Sequence, residues 1–148
     1  MNENGLIIHT DGGARGNPGP AACAFIAEKN GNVVHKESKF LGPMTNNQAE
    51  YQGLILALRW LSKFIIANHA PVVTVHMDSE LIVKQLSGAY RVKDEELRGL
   101  FFEVGSSIKK IQPKIIFKNV PRSKNKLADF LVNQELDKNF KLRSVMVQ

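Results

Sequence analysis

Four acidic residues, widely spaced along the chain, fall where predicted strands end or predicted helices begin: Asp11, Glu50, Asp78 and Asp129. Carboxylates at the ends of neighbouring elements can converge on a divalent cation, for which their oxygens are suitable hard ligands. Each acid taken alone has an ordinary explanation, because Asp is frequent in turns and acids in a first helical turn interact favourably with the helix dipole. The set of four predicts a metal site.

A glycine-rich stretch surrounds the first of these acids. Residues 6–10 form a short apolar run typical of a strand, and four glycines and two prolines lie between Asp11 and Pro20. Glycine at this density lets backbone approach a ligand closely. We therefore expect the first strand to stop at Asp11 and to hold this acid at a sheet edge.

Two further strands are predicted directly after this stretch. Residues 21–28 and 33–41 are rich in strand-forming residues, and Asn30-Gly31 between them is a hairpin signal. Gly42-Pro43 is expected to end the third strand. The first part of the chain therefore predicts three antiparallel strands.

A long helix is predicted from Asn46 to about Ile66. Thr45 and Gln48 have the spacing of a capping box, which marks a helix start. The apolar stripe of this helix runs through Leu54, Leu58, Leu61 and Ile65, and one turn before Leu54 it meets Glu50. A carboxylate that continues a core-facing stripe is costly unless it is paired or bound to metal.

The third acid, Asp78, follows a predicted buried strand at residues 72–77 and precedes a helix at 79–86. Because the long helix before this strand supplies a crossover, the strand can lie parallel to the first one and beside it. Asp11 and Asp78 would then leave the sheet side by side. Sites in such sheets form outside the carboxyl ends of the strands.

The remaining chain predicts a helix over residues 94–111, a fifth strand around 115–117 and a last helix from about Asn125. The fourth acid, Asp129, falls in the first turns of that helix. Residues 141–148 are expected to form an irregular tail, with a short strand at 144–147 as the alternative. The predicted core therefore spans about residues 6–136.

Length and composition fit one domain. The chain has 148 residues, 43% of them hydrophobic, which is enough to bury a core without disulfides. The single cysteine, Cys23, lies in an apolar run and predicts a reducing, cytoplasmic location. The longest candidate run, residues 72–77, is too short to span a bilayer. We expect a monomer with no membrane contact.

Positive charge is concentrated near the C-terminus. The formal net charge is +6, and residues 109–148 hold 10 Lys and Arg against 3 Asp and Glu. This excess could meet phosphates, although a solvated basic face is an equal alternative. The four histidines, His9, His35, His69 and His76, have no ligand spacing and are expected to be structural or surface residues.

Four motifs in this order make the chain resemble the type 1 ribonuclease H family over residues 6 to about 136. They are Thr10-Asp11-Gly12-Gly13 with Gly16-Asn17-Pro18-Gly19, Thr45-Asn46-Asn47-Gln48-Ala49-Glu50, Asp78-Ser79, and Asn125-Lys126-Leu127-Ala128-Asp129. The resemblance implies an α/β ribonuclease H-like fold, in which helices flank a five-stranded mixed sheet of three antiparallel and then two parallel strands.

The resemblance also implies an activity, namely hydrolysis of the RNA strand of an RNA/DNA hybrid with two Mg²⁺ ions, or Mn²⁺ as a substitute. It places Asp11, Glu50, Asp78 and Asp129 in the metal-binding catalytic set. Two metals suit this chemistry because one ion can activate the attacking water while the other stabilises the leaving oxygen.

Recognition of the RNA 2′-hydroxyl is implied for backbone near the first Asp and for polar side chains of the same motifs. The matching positions are Gly12, Gly13, Asn17, Asn46, Asn47 and Gln48. Asn17-Pro18 is also an ordinary turn former, and Gln48 is already explained as a capping partner.

Two departures from the family pattern concern the last loop and the segment after Gly88. Many bacterial members have a histidine before the last Asp, whereas residues 120–124 here contain Arg122 and no histidine. Arg122 would act through its charge. The Pro121-Arg122 pattern resembles an archaeal-like branch of the family. A basic protrusion of some members is missing, since residues 89–93 lead straight into the next helix.

The leading hypothesis is therefore an endonuclease that leaves 5′-phosphate and 3′-hydroxyl ends. A broader nuclease that also cuts double-stranded RNA stays open, as does a non-catalytic hybrid-binding module. The four acids disfavour the pure binding module, because carboxylates near phosphates are repulsive without metal. A recombinase or integrase on the same fold would need a different acid spacing and added DNA-binding domains.

Overall fold

The computed structural model describes residues 5–67, 72–111 and 113–147. Its strands are β1 (Leu6–Ala14), β2 (Gly19–Lys29), β3 (Asn32–Met44), β4 (Val72–Met77) and β5 (Lys114–Asn119). Its helices are α1 (Asn46–Ala67), α2 (Glu80–Leu86), α3 (Glu95–Lys109) and α4 (Lys126–Val147), and a single 3-10 turn covers Arg122–Lys124. Each predicted helix and strand is present, although several of their ends differ from the prediction.

The strands form one sheet in the order β3-β2-β1-β4-β5. β1 pairs antiparallel with β2, and β2 with β3. β4 lies parallel to both β1 and β5. The predicted α/β architecture, with three antiparallel strands and then two parallel ones, is confirmed.

Alternation along β2 shows how the two faces of the sheet are covered. Cys23, Phe25 and Ala27 belong to a core with residues of α1, α2 and α3. Ala22, Ala24 and Ile26 point the other way and pack against buried residues of α4. Because successive strand residues face opposite sides, β2 is buried between two helical layers.

Polar N-cap residues precede α2 and α3. The Ser79 hydroxyl accepts a hydrogen bond from Ile82 N at 3.3 Å, and an Asp94 carboxylate oxygen accepts one from Leu97 N at 3.0 Å. Both residues were predicted to lie inside their helices, but each lies one position before the helix because its side chain satisfies a free N–H group of the first turn.

Two predicted strand ends are wrong. β1 does not stop at Asp11, since its ladder with β2 continues through Asp11, paired with Ala24, to Ala14. β3 likewise runs past Gly42-Pro43 to Met44. The first ladder continues because β2 provides backbone partners as far as Ala21, and β3 is an edge strand, where proline is tolerated.

The predicted irregular tail is also wrong, because α4 continues through Val147. Neither glycine nor proline interrupts residues 126–147, so nothing in the sequence ends the helix earlier. Leu131 and Leu136 of α4 are buried, but Leu127 and Phe130 are largely exposed. An apolar strip of α4 is therefore uncovered, and the monomeric state stays a prediction.

Within the described residues, none of the helices combines the length and the apolarity that a membrane crossing requires.

Candidate active site

The end of the parallel pairing between β1 and β4 positions two of the acids. This pairing ends at His9 and His76, and each strand carries its acid two residues later. Asp11 stays in the ladder of β1 with β2, whereas Asp78 follows the last residue of β4. The predicted placement of Asp11 beside Asp78 is confirmed.

Glu50 reaches the same place from α1. Oxygen atoms of Asp11, Glu50 and Asp78 all lie within 4.8 Å of one another, and these residues form the one metal-capable cluster found among the described residues. Gly12 N donates a hydrogen bond to Glu50 Oε1 at 3.3 Å. The buried stripe of α1 therefore ends in a polar cluster, as its sequence predicted.

Close contact between α1 and β1 brings Glu50 this deep. A Cβ atom at Gly12 would stand 2.2 Å from the carbonyl carbon of Ala49, and one at Gly53 would stand 2.7 Å from the carbonyl oxygen of Asp11. Only hydrogen fits at either position, because real Cβ atoms do not approach backbone so closely. These two glycines thus set the distance between helix and strand at the level of the acids.

The crowding of carboxylates changes their protonation. Burial raises the pKa of Asp11 from 3.8 to about 7, and the charge of Asp78 adds to this rise. Burial, followed by the charge of Asp11, raises the pKa of Glu50 well above 4.5. Without a cation, burial and the neighbouring charges therefore favour the protonated form of Glu50.

The donor set fits a divalent cation. Glu50 Oε2 is buried, and no group among the described residues provides it with a hydrogen-bond partner. A buried oxygen without a partner costs free energy that metal coordination would recover. Carboxylate oxygens are the ligands that hard divalent cations prefer.

The fourth acid, Asp129, borders the same space from the start of α4. Asn125, just before α4, donates from Nδ2 to the carbonyl oxygen of Thr10 at 2.9 Å and so fixes α4 beside β1. Asp129 is not part of the 4.8 Å cluster, but it lines a cavity with the three clustered acids. The fold thus brings all four predicted acids to one cavity.

This cavity has a volume of about 410 Å³. Its other walls come from β1, the β1–β2 hairpin, the start of α1, the 3-10 turn and α4. The lining residues besides the acids are Gly12, Gly13, Ala14, Arg15, Asn46, Asn47, Ser79, Arg122, Val132, Asn133 and Leu136. Of the predicted non-acidic site residues, four therefore lie at the cavity with Arg122, namely Gly12, Gly13, Asn46 and Asn47, whereas Asn17 and Gln48 are not among its lining residues.

Comparison with known proteins agrees with the family resemblance of the sequence. A family model described as reverse transcriptase-like matches residues 9–135. Ribonuclease HI of Halobacterium salinarum is 37% identical over 91% of this chain and 67% of its own length. The chain belongs to the type 1 ribonuclease H family. The crystal structure of LC11-RNase H1 in complex with RNA/DNA hybrid shares 43% identity, covers 91% of this chain and 99% of its own, and superposes with a TM-score of 0.87.

A bifunctional protein of Mycobacterium tuberculosis is 37% identical over 89% of the chain. This ribonuclease H domain spans only 35% of the length of that mycobacterial relative.

Gln48 and Asn17, the two predicted substrate contacts that do not line the cavity, make structural hydrogen bonds at the start of α1. Gln48 forms the predicted capping box, accepting from Thr45 N at 2.8 Å and donating its own N–H to Thr45 Oγ1 at 3.1 Å. Its Nε2 donates to Glu96 Oε2 at 2.5 Å. Asn17 Oδ1 accepts from Asn46 N at 2.9 Å, which joins the glycine-rich hairpin to the start of α1.

The basic C-terminal residues do not converge on the site of this family member. Among the described residues of that group, Arg122 alone lines the cavity. Lys114 and Lys118 lie on β5, at the far edge of the sheet. Linear sequence could not separate these positions, because a basic run crosses a strand, a turn and a helix in turn.

None of the described histidines, His9, His35 and His76, lines the cavity of the four acids. His9 Nε2 lies 3.5 Å from Glu28 Oε1, and its ring contacts that of His76 edge to face. His35 pairs with Glu37 at 3.0 Å and stacks on Trp60. His69 lies outside the described residues.

Sequence reasoning missed one cation at the site. Arg15 lines the cavity from the β1–β2 hairpin, but it was not among the predicted site residues. Its signal was a positive charge inside a stretch already assigned to the site.

Proposed function

We propose that this chain is a metal-dependent endonuclease that hydrolyses the RNA strand of RNA/DNA hybrids and leaves 5′-phosphate and 3′-hydroxyl ends. The observation that carries the proposal is the cluster of Asp11, Glu50 and Asp78 within 4.8 Å, with the unpartnered Glu50 Oε2 inside it. A relative at 43% identity was solved with an RNA/DNA hybrid, which supports the same class of substrate.

Asp11, Glu50, Asp78 and Asp129 would hold two divalent ions, Mg²⁺ or in its place Mn²⁺. When bound, such ions make water a stronger nucleophile and stabilise the charge on the leaving oxygen. Arg122 supplies positive charge at the wall formed by the 3-10 turn and would contact a phosphate. It cannot shuttle a proton near neutral pH.

Polar groups beside the acids would distinguish RNA from DNA through the 2′-hydroxyl. Asn46 and Asn47 line the cavity and are proposed as the main contacts, together with the backbone of Gly12 and Gly13. Asn17 and Gln48 are proposed to act from the rim. Asn17 Oδ1 is already bonded at the start of α1, and both amide atoms of Gln48 already have partners in Thr45 and Glu96.

The test is cleavage of a labelled RNA/DNA hybrid beside double-stranded RNA and double-stranded DNA of the same sequence, in Mg²⁺ and in Mn²⁺. We expect the wild type to cut only the RNA of the hybrid and Asp78→Asn to lose at least 10³-fold in rate, roughly the loss of one essential electrostatic group. Glu103→Gln, an exposed acid on α3, is the matched control and should retain activity.

Other outcomes have defined meanings. Cutting of double-stranded RNA as well would make this a broader nuclease. Binding of the hybrid without cutting would make it a binding module. Mg²⁺ should raise the melting temperature of the wild type and not that of Asp78→Asn, because only the native acid cluster binds the ion. An equal shift in both proteins would remove Asp78 from the metal set.

A further inference from the structure

Arg15 is presented by a rigid turn. Its backbone N–H donates to the carbonyl oxygen of Pro20 at 2.9 Å, which closes the β1–β2 hairpin. The next residue, Gly16, has a φ of +94°, and a Cβ atom at Gly19 would stand 2.1 Å from the Arg15 carbonyl oxygen. The conformation around Arg15 therefore depends on glycines that let two stretches of backbone touch.

The guanidinium of Arg15 is held by an acid on α4. Arg15 Nη2 lies 2.5 Å from Asp137 Oδ1, although the side chains are 44% and 60% exposed. An ion pair this exposed adds little to stability. It does orient the planar guanidinium, which has five N–H donors and uses one of them in this hydrogen bond.

Arg15 also stands where two cavities meet. It lines the cavity of the four acids, and it lines a neighbouring apolar cavity of about 320 Å³ with Pro20, Phe40, Leu136, Asn139 and Phe140. Among the lining residues of the first cavity, Arg15 and Arg122 are the two cations, and they come from different walls. A strand whose scissile phosphate lies at the acids must run along the walls of this cavity, and Arg15 is one of the two cations on them.

We propose that Arg15 binds a backbone phosphate of the cleaved strand, next to the scissile one, and that Asp137 is the positioning residue that aims its guanidinium. This inference rests on the proposed function. A guanidinium recognises phosphate through paired hydrogen bonds, and a phosphate contact of this kind adds affinity without reading sequence. Arg15 and Arg122 then hold the strand on both sides of the reacting bond.

The first test compares hybrid cleavage by wild type, Arg15→Ala and Arg59→Ala over a series of salt concentrations. Arg59 is the control because it is an exposed arginine on α1 with an acidic partner, Glu103, at 4.0 Å. For Arg15→Ala we expect KM to rise about fivefold to tenfold, with kcat within about twofold of the wild type. The slope of log KM against log salt concentration should fall by about 1, the amount expected for the loss of one phosphate contact.

The second test assigns the strand. A single neutral methylphosphonate linkage is moved along the RNA strand and then along the DNA strand of the hybrid. We expect one linkage beside the cut in the RNA strand to raise KM for the wild type and to have no further effect on Arg15→Ala. A sensitive linkage in the DNA strand would overturn the assignment.

Asp137 is tested through its dependence on Arg15. Asp137→Ala should raise KM in the wild-type background and leave it unchanged when Arg15→Ala is already present. Equal effects in both backgrounds would show that Asp137 acts on its own and would overturn its positioning role.

The outcomes separate the two proposals. If the wild type neither cuts nor binds the hybrid, the proposed function fails and this inference fails with it. If the wild type cuts and Arg15→Ala has the KM and the salt slope of Arg59→Ala, this inference alone is overturned. Melting temperatures of both variants should stay within about 2 °C of the wild type, since exposed ion pairs contribute little.

Discussion

Two buried carboxyl groups dominate the chemistry at the scale of single residues. Asp11 and Glu50 are 6% and 7% exposed, and both have raised pKa values because burial disfavours the ionised form. The metal-free native state must therefore keep protons that the unfolded chain would release. A metal ion removes this conflict because it stabilises the ionised carboxylates.

Asp11→Asn tests this conflict through pH. Well below pH 3.8 the carboxyl of Asp11 is protonated in both native and unfolded states, so its raised pKa has no destabilising effect. As pH rises from 3.8 to about 7, the unfolded chain releases this proton first, and the native state loses stability. Without metal, Asp11→Asn should thus become more stable than the wild type by on the order of 2–4 kcal/mol near pH 7.

The measurement is thermal unfolding of both proteins in EDTA between pH 4 and pH 8. The difference in melting temperature should grow across this interval and should reach its largest value at or above pH 7. A difference that stays constant with pH would mean that Asp11 ionises as easily in the native protein as in the unfolded chain.

At the scale of elements, the site depends on how closely α1 lies against β1. Gly12 faces the backbone of Ala49 and Gly53 faces the backbone of Asp11, so the helix and strand meet here without side chains between them. Glu50 lies one helical turn before Leu54, so any outward movement of α1 would carry its carboxylate away from Asp11. The stability of this contact and the geometry of the acids are therefore coupled.

Gly12→Ala tests the contact directly. The new methyl group would stand 2.2 Å from both the carbonyl carbon and the carbonyl oxygen of Ala49, which forces α1 outward. We expect a loss of about 2–3 kcal/mol in the free energy of unfolding, a typical result of overpacking, and a large fall in cleavage rate. Urea denaturation and the hybrid assay measure the two effects.

Gly13→Ala is the matched control on the same strand. Its Cβ would lie 3.9 Å from the nearest atom, Val132 Cγ1, which is an ordinary contact. This variant should stay within about 1 kcal/mol of the wild type, because a strand tolerates alanine at least as well as glycine. Equal destabilisation by both variants would contradict the close-contact explanation.

At the scale of the whole molecule, α4 joins the end of the chain to its beginning. Asn125 and Thr10 are 115 positions apart and share a buried hydrogen bond, and α4 also packs on β2 through the second hydrophobic cluster. Asp129 reaches the cavity only because this docking holds the first turns of α4 in place. The position of Asp129 in the site therefore depends on the docking of α4 against the sheet.

Asn125→Ala tests this dependence. The carbonyl oxygen of Thr10 would lose its buried donor, which should cost about 1–3 kcal/mol of stability, and cleavage should fall because Asp129 is less well placed. Asn133→Ala is the control, since its amide donates to the Asp129 carbonyl within α4 at an exposed position. The free energy of unfolding of Asn133→Ala should differ from that of the wild type by no more than about 0.5 kcal/mol. Urea denaturation of both variants measures these free energies.

Periodicity and local signals were sufficient for most of the secondary structure. The Thr45 and Gln48 capping box placed the start of α1 at Asn46, and the stripe through Leu54 and Leu58 identified the buried side that ends in Glu50. Such signals are local, because caps and hydrophobic periods depend on residues within one or two turns. Four spaced motifs were enough to indicate the family.

The ends of several elements could not be predicted, because they depend on partners far along the chain. β1 continues past Asp11 since β2 supplies a ladder for it, and the local glycines alone suggested a stop. β3 likewise continues to Met44 in its ladder with β2, although Gly42-Pro43 suggested an earlier end. Local propensity loses to pairing and packing when the two disagree.

The sequence by itself determined the types of the chemical groups and the strands and helices that carry them: four acids, the amides of Asn46 and Asn47, and the arginines. Only the tertiary structure decided which of these groups share a cavity. It placed Asn46, Asn47 and Arg15 at the acids, left Asn17 and Gln48 outside the lining, and dispersed the C-terminal lysines. The physical reason is that side-chain type is a property of one residue, whereas proximity depends on long-range packing of the sheet, α1 and α4.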